Sequence, residues 1–467
     1  MTDDGPLRVL VTGATGYIGA RLTPRLVDAG HQVRVLVRDP DKLRAVPWAR
    51  DVQVFRGDLM DPDTLEAPLR DVDVLYYLVH SMNSAGEFIQ QERRSAQNVA
   101  EAARRAGVGR IVYLGGLHAD SGPLSTHLRS RTEVGQILID SGVPTLVLQA
   151  GVVIGSGSAS FEMIRHLTDR LPVMTTPRWV NNHIQPIAVR DVLHYLIEAA
   201  TADLPRSRTY DIGGPDVLRY GEMMQIYAEV AGLARRRILV LPVLTPRLAG
   251  LWIDLVTPVP RSIGRALIES LSTDAVATEH DIDAAIAPPP GGPTAYRQAV
   301  ALALRYAATG EGHPTWATTS PTGAPSDPLP SDPGWAGQAV YTAERHTDCA
   351  APTDRVWRAL QEDLEEDDRE DTGKAWRSYP FGTGRRRPLV EQQTDQRFVR
   401  LRTRTRAPGG GWLEWRLEPL GEHRTRLHLR AVFTPRGLAG QAYWHALYPI
   451  HRVILAGALR RVSRRAH

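Results

Sequence analysis

The chain has 467 residues and a mass of 51.5 kDa, more than one ordinary domain holds. Its 42% hydrophobic and 23% charged residues are a globular balance that excludes a disordered chain, and a mean hydropathy of −0.26 argues against a polytopic membrane protein. The single cysteine, Cys349, excludes an intrachain disulfide framework and a multi-cysteine zinc site.

Basic residues are unevenly distributed. Of 56, only Lys42 and Lys374 are lysine, so chemistry that needs a lysine has two candidates. Residues 340–467 hold 24 basic and 16 acidic residues, and the remainder 32 and 36. The bland reading is a basic surface on a small domain; the sharper one is contact with an anionic membrane surface. No nucleic-acid motif accompanies the charge, so nucleic acid is not an expected partner. The opening MTDDGPLRVLVTG has acids before a short apolar run and does not read as a signal peptide. No apolar run reaches the length of a spanning helix, and the nearest approach, 238–259, contains Arg247, Asp254 and three prolines. A cytoplasmic location is expected, with a membrane-peripheral one as the alternative.

In chain order, 7–12, 32–37, 52–56, 74–77, 110–114 and 144–149 read as buried strands. Helical patterns at 18–29, 87–106 and 126–140 lie between them, and several end at a glycine (Gly30, Gly107, Gly142). Such alternation gives a doubly wound parallel sheet with helices on both faces, a Rossmann-type α/β fold. From 151 to 305 the pattern loosens into helices at 161–171, 189–202, 220–231 and 246–256, read as a cap. Domain one is therefore expected over 1–305. Residues 306–338, rich in Pro, Ser, Thr and Gly, read as a linker.

The last part, 339–467, changes character. Strands are expected at 340–346, 398–406, 412–418 and 425–433, a helix at 353–364, and a long helix at 438–462. Val399 and Leu401 alternate with Arg400 and Arg402, and Leu413, Trp415 and Leu417 with Glu414, Arg416 and Glu418. One buried and one wetted face is the expectation. The order is similar to START or polyketide-cyclase-like helix-grip folds. Leu427, Leu429 and Phe433 are expected to face Trp444, Leu447 and Ile450 of the helix, and the grip either is a filled core or encloses an apolar ligand, with Tyr443, His445 and Tyr448 to orient it.

The strongest motif is TGATGYIG, directly after the first strand. Gly13, Gly16 and Gly19 permit a sharp turn, close approach of backbone to pyrophosphate and tight helix–strand packing. Ala14, Thr15, Tyr17 and Ile18 complete the loop, and the following helix points unpaired N–H groups at the anion. Arg38 stands at the end of the second strand, where an acid would hold the ribose of NAD. A guanidinium there suits a 2′-phosphate, so NADP(H) is favoured, with NAD(H) open because Asp39 follows. Asp58 and Leu59, after the third strand, could frame the adenine, or Asp58 could cap the next helix. Val79 and His80, after the fourth strand, complete the expected dinucleotide contacts.

The glycine signature, Gly57-Asp58-Leu59, Gln185-Pro186-Ile187 and Arg190-Asp191-Val192 together resemble the extended and atypical short-chain dehydrogenase/reductases, NmrA-like proteins among them. YYLVHSM (76–82), YLGGL (113–117), LSTHLRSRTEVG (124–135) and FTPRGLAGQAYW (433–444) resemble a bacterial two-domain subgroup whose second domain has no known function. The resemblance implies a Rossmann fold and a nicotinamide dinucleotide partner.

This chain departs from that family at its chemistry. Tyr-x-x-x-Lys cannot occur, because Arg38 and Glu370 stand four residues before the two lysines. At its usual place stand His127, Leu128, Arg129, Ser130 and Arg131, and Gly115-Gly116 replaces the Ser/Thr of the fifth strand. His127 could replace the tyrosine as proton donor or acceptor, with Arg131 one turn on to hold substrate anion or ribose. His80 and His118 end neighbouring strands, so three histidines could converge. No carboxylate stands at ligand spacing, and no metal is expected. The functions expected are a reductase or isomerase for a hydrophobic carbonyl compound, a non-catalytic NADP(H) sensor, or a peripheral membrane protein.

Overall fold

The computed structural model describes residues 5–44, 46–80, 87–118, 124–240, 257, 259–271, 273–309, 340–369, 388–403 and 407–466. The expected helix at 246–256, residues 310–338 of the expected linker, and the end of the expected strand at 404–406 lie outside them. The chain divides into two compact units.

Seven parallel strands form the sheet of the first unit: β1 (Arg8–Thr12), β2 (Gln32–Val37), β3 (Gln53–Arg56), β4 (Val74–Tyr77), β5 (Arg110–Gly116), β6 (Thr145–Ala150) and β7 (Arg208–Ile212). Their order is β7-β6-β5-β4-β1-β2-β3, so the order reverses between β1 and β4, where a Rossmann sheet opens its ligand crevice. Period-two alternation decides which residue meets which layer. Val9, Val11, Val35 and Tyr76 pack with Leu22 and Leu26 of α1 (Gly19–Asp28). Leu10, Leu36, Leu75 and Tyr77 point the other way, with Ala96, Val99 and Ala103 of α2 (Glu87–Ala106) and Val134 and Leu138 of α3 (Thr126–Ile139). Both faces are dry, which is why these strands read as unbroken apolar runs.

Strand β7 was not expected from the sequence. Its residues, RTYDI, carry no apolar run, and it lies at the sheet edge. Only Tyr210, Asp211 and Ile212 are buried, and the Asp211 carboxylate accepts from Thr278 N at 2.8 Å and from its hydroxyl at 3.1 Å. Beyond β6, helices Ala159–Arg170, Val189–Glu198, Tyr220–Val230, Arg261–Ser270 and Tyr296–Thr309 alternate with two-residue to four-residue ladders. The last of these helices runs into the stretch expected to be linker.

The second unit is an antiparallel sheet of β8 (Tyr341–Cys349), β9 (Leu389–Thr394), β10 (Phe398–Thr403), β11 (Gly409–Gly421) and β12 (Arg424–Pro435), in the order β8-β12-β11-β10-β9. Helix α4 (Thr353–Arg369) and the 30-residue α5 (Gly437–Ala466) complete it. Val399, Leu401, Leu413, Trp415, Leu417, Leu427, Leu429 and Phe433 form one core with Trp444, Leu455, Leu459 and Val462 of α5.

Four expectations for this unit change. Edge strand β9, LVEQQT, was missed because its side chains are almost all exposed and polar. The outer face is not uniformly wet: Arg400 and Glu414 are buried there as an ion pair, Nη2 to Oε1 2.7 Å. Ile450 does not face the sheet and is 52% exposed, because α5 buries Gly440, Trp444, His451, Leu455, Ala458, Leu459 and Val462, a stripe that leaves Ile450 on the other side. His445 and Tyr448 are exposed as well. Inside the grip, rings meet: Trp444 stacks on Phe433 with centroids 5.8 Å apart, and lies 5.0 Å from His451.

Trp415 is fully buried, so Trp415→Ala should lower the unfolding free energy of this unit by about 3–5 kcal/mol. Val453→Ala, at a 73% exposed site, should change it by about 0.5 kcal/mol or less. Denaturant unfolding of the full chain checks both, and equal losses would mean that the core is placed wrongly.

Candidate functional site: the glycine loop and its cleft

The site begins where β1 ends. The Thr12 hydroxyl donates to Tyr76 O at 3.0 Å and accepts from Leu78 N at 3.3 Å, so the ends of β1 and β4 are tied side by side. Gly13 follows at φ 76°, in the left-handed region, and a Cβ on it would lie 2.6 Å from Leu78 O. Gly16 N closes the turn on Gly13 O at 2.9 Å. A Cβ on Gly19 would stand 2.2 Å from that same carbonyl. Glycine at the first and last positions is thus a steric requirement of this packing.

Helix α1 starts with no side-chain cap and no acidic residue in its first turn. The N–H groups of Ala20, Arg21 and Leu22 already donate to the carbonyls of Gly16 and Ile18, and Ile18, Gly19 and Ala20 line the crevice, so what the helix offers an anion there is the positive end of its dipole.

The crevice has a volume of about 660 Å³, in the range of small-ligand sites. Gly13, Thr15, Gly16, Tyr17, Ile18 and Gly19 line its floor, whereas Ala14 is fully buried in the core. Arg38 is exposed on the wall. Asp39 beside it is engaged: its carboxylate accepts from Asp41 N at 3.1 Å and caps the turn Pro40–Leu43. Asp58 and Leu59 line the same end. The Asp58 carboxylate accepts from Met60 N at 3.0 Å, so it shapes its turn and also faces the cleft.

Val79, His80 and Arg131 line the other end. His80 Nδ1 meets Glu92 Oε1 at 2.7 Å, and the Ser130 hydroxyl donates to Glu92 Oε2 at 2.5 Å. The His127 ring stands edge-on to His80, centroids 4.5 Å apart. Arg131 donates to Leu114 O at the end of β5. Burial pushes the His127 imidazole down to about 3, with the neighbouring His80 and Arg131 adding to the fall. Burial lowers His80 too, against the pull of Glu92. Both rings are neutral near pH 7. Two of the three histidines thus converge. His118 instead meets Thr132 Oγ1 at 3.1 Å and Gln149 Nε2 at 3.4 Å, and His127 is not on the cleft wall.

Sequence reasoning missed Glu92, Ser130 and Arg21. The Arg21 guanidinium sits 3.9 Å over the Tyr17 ring and donates to Ser156 O at 3.1 Å, so it joins the glycine loop to the segment holding Gly157, another wall residue. A signal existed in Gly155-Ser156-Gly157-Ser158, a small-residue turn before a helix.

Comparison with known proteins agrees with this geometry. Residues 13–150 match the family described as NAD(P)H-binding. Over those residues the chain carries an NAD(P)H-binding domain. Residues 357–458 match DUF2867, a family described as a protein of unknown function. A 3β-hydroxysteroid dehydrogenase/Δ5→4-isomerase of Mycobacterium tuberculosis is 35% identical over 116 residues, 23% of this chain, which spans 30% of that relative's length. The (4-alkanoyl-5-oxo-2,5-dihydrofuran-3-yl)methyl phosphate reductase of Streptomyces griseus is 28% identical over 231 residues, 48% of this chain and 74% of that one. The triphenylmethane reductase of Citrobacter sp., solved with NADP(H), superposes with a TM-score of 0.51 at 20% identity, over 63% of this chain and 99% of its own.

The steric argument has a direct test. Gly19→Ala should weaken binding of either dinucleotide at least about tenfold, because the Gly13 carbonyl must move away from the new methyl group. Calorimetry measures the loss and circular dichroism checks that the domain stays folded.

Proposed function

We propose that the cleft prefers NADP(H) and serves a reductase or isomerase acting on a hydrophobic carbonyl compound. The observation that carries the cofactor preference is the pairing of Arg38 with Asp39. The guanidinium lies on the cleft wall at the end of β2, while the neighbouring carboxylate is turned back to cap its own loop. A cation is offered where NADP has its 2′-phosphate, and the acid that would select NAD is occupied.

The substrate class is supported by two features. Leu78, Val79 and Leu114 give the inner end an apolar wall beside Arg131. Two relatives are named as a hydroxysteroid dehydrogenase/isomerase and as a reductase of an alkanoyl-furanone phosphate. In this reading Arg131 meets the substrate oxygen or the ribose, and the neutral His127 packs against His80. When bound, NADPH supplies the hydride. The second reading, a dinucleotide sensor, is favoured by the absence of Tyr-x-x-x-Lys. Absorbance at the reduced-nicotinamide band with a panel of hydrophobic aldehydes and ketones separates the two. No described helix is long and apolar enough to cross a membrane, and the cytoplasm is the proposed location.

Arg38→Ala should weaken NADPH binding about 10–100-fold, the range for a charge-assisted hydrogen bond, and leave NADH binding nearly unchanged. Equal losses for the two cofactors, measured calorimetrically, would remove the assignment.

A further inference from the structure

The inner end of the cleft holds a charge arrangement that the glycine motif does not require. Glu92 lies on α2, 7% exposed, and Ser130 on α3, 2% exposed. A buried carboxylate needs partners for both oxygens. Here His80 Nδ1 takes one and the Ser130 hydroxyl the other, at 2.7 and 2.5 Å. A carboxylate only accepts hydrogen bonds, so the proton of the neutral His80 ring sits on Nδ1. Nε2 then carries a lone pair. That atom is buried, has no hydrogen-bond partner among the described residues, and belongs to a side chain on the cleft wall.

A carboxylate holding the far nitrogen of an imidazole fixes both tautomer and orientation. It also stabilises the imidazolium that forms when the near nitrogen takes a proton. The His127 ring, steeply inclined to His80 with centroids 4.5 Å apart, limits rotation of the His80 ring from another side. The same two helices that cover the sheet therefore deliver an oriented base to the end of β4.

We infer that His80 is the catalytic residue that exchanges a proton with the substrate oxygen, and that Glu92, braced by Ser130, is its positioning residue. This rests on the reading of the cleft as an NADP(H)-dependent oxidoreductase site. In the oxidative direction a bound NADP⁺ would supply the acceptor for the hydride that leaves the substrate carbon. The hydroxyl proton goes to Nε2 of His80 and the C=O bond forms. In the reductive direction a bound NADPH would supply the hydride to the carbonyl carbon, and the His80 imidazolium returns the proton to oxygen. His80 exchanges its proton with solvent between turnovers.

The groups facing His80 are Glu92, His127 and Arg131. The hydrogen bond to Glu92 raises its pKa, while burial and the Arg131 charge lower it. The oxidation needs the neutral ring, so its rate should fall only below the ordinary imidazole range. Removing the Glu92 charge should move that acid limb to still lower pH.

The test uses the full chain, with NADP⁺ and 4-nitrobenzyl alcohol in one direction and NADPH and 4-nitrobenzaldehyde in the other. His80→Asn should lower kcat about 10²–10⁴-fold in both directions, far more than it changes the calorimetric Kd for NADPH. Glu92→Gln should lower kcat less and shift the acid limb downward. In a protein labelled with ¹⁵N-histidine, His80 should show the Nδ1-protonated tautomer, lost in Glu92→Gln. A wild-type chain that turns over the probes while His80→Asn does so equally well, or a His80 protonated on Nε2 in the wild type, overturns this inference alone. A wild-type chain that binds NADPH and turns over neither probe overturns the oxidoreductase reading and this inference with it.

Discussion

The packing of the first glycine turn against the end of β4 is the constraint on which the functional half of the molecule depends. Three backbone segments, Gly13, Gly19 and Leu78, approach so closely that a methyl group at either glycine would overlap a carbonyl. The Thr12 hydroxyl holds the approach by bridging the two strands. Because the turn is this tight, α1 leaves the sheet with its amino end at the crevice, and the positive end of its dipole favours an anion there. The same contact sets where Leu78, Val79 and His80 emerge, so one steric condition places both ends of the cleft.

Electrostatics then divide the cleft. At the outer end the wall carries Arg38, and the nearby acids Asp39 and Asp58 accept from backbone N–H groups of their own turns. At the inner end the sole described acid in contact with His80 is Glu92, buried and doubly bonded. A carboxylate in a dry site must be satisfied locally, since water cannot reach it. That requirement couples α2 to α3 and both to the end of β4. The two histidine rings stay neutral because burial lowers both and the Arg131 charge adds to the fall, against the pull of Glu92.

The second unit shows a different balance. Its inner face is a continuous apolar core from β8 to α5, with aromatic rings in contact at one end. Its outer face buries the Arg400–Glu414 pair and ties the Trp412 indole to Glu391 at 3.0 Å. Paired charges on adjacent strands cover each other, so alternation in the sequence overstated how much of this face water reaches.

Most strand and helix assignments, the doubly wound parallel sheet and the glycine loop were legible from the sequence alone. Each is encoded in neighbouring residues: a period of two with both faces apolar, helix stops at Gly30, Gly107 and Gly142, and glycines three apart after a strand. Strands β7 and β9 were not, because edge strands with one wet side carry no apolar run. The facing of Ile450 was not, because on a long helix with apolar residues all round only the partner surface selects the buried stripe. Neither was the Glu92 arrangement. Glu92 is twelve residues from His80 and thirty-eight from Ser130, and no local pattern links positions that only helix packing on the sheet brings together. The sequence by itself determined the dinucleotide-binding fold and the residues of its loop, since those follow from local backbone chemistry. Tertiary structure alone decided that Asp39 turns back on its own loop, that His118 stands apart, and that His80 is the histidine a buried carboxylate holds, since hydrogen-bond partners are chosen by proximity in space.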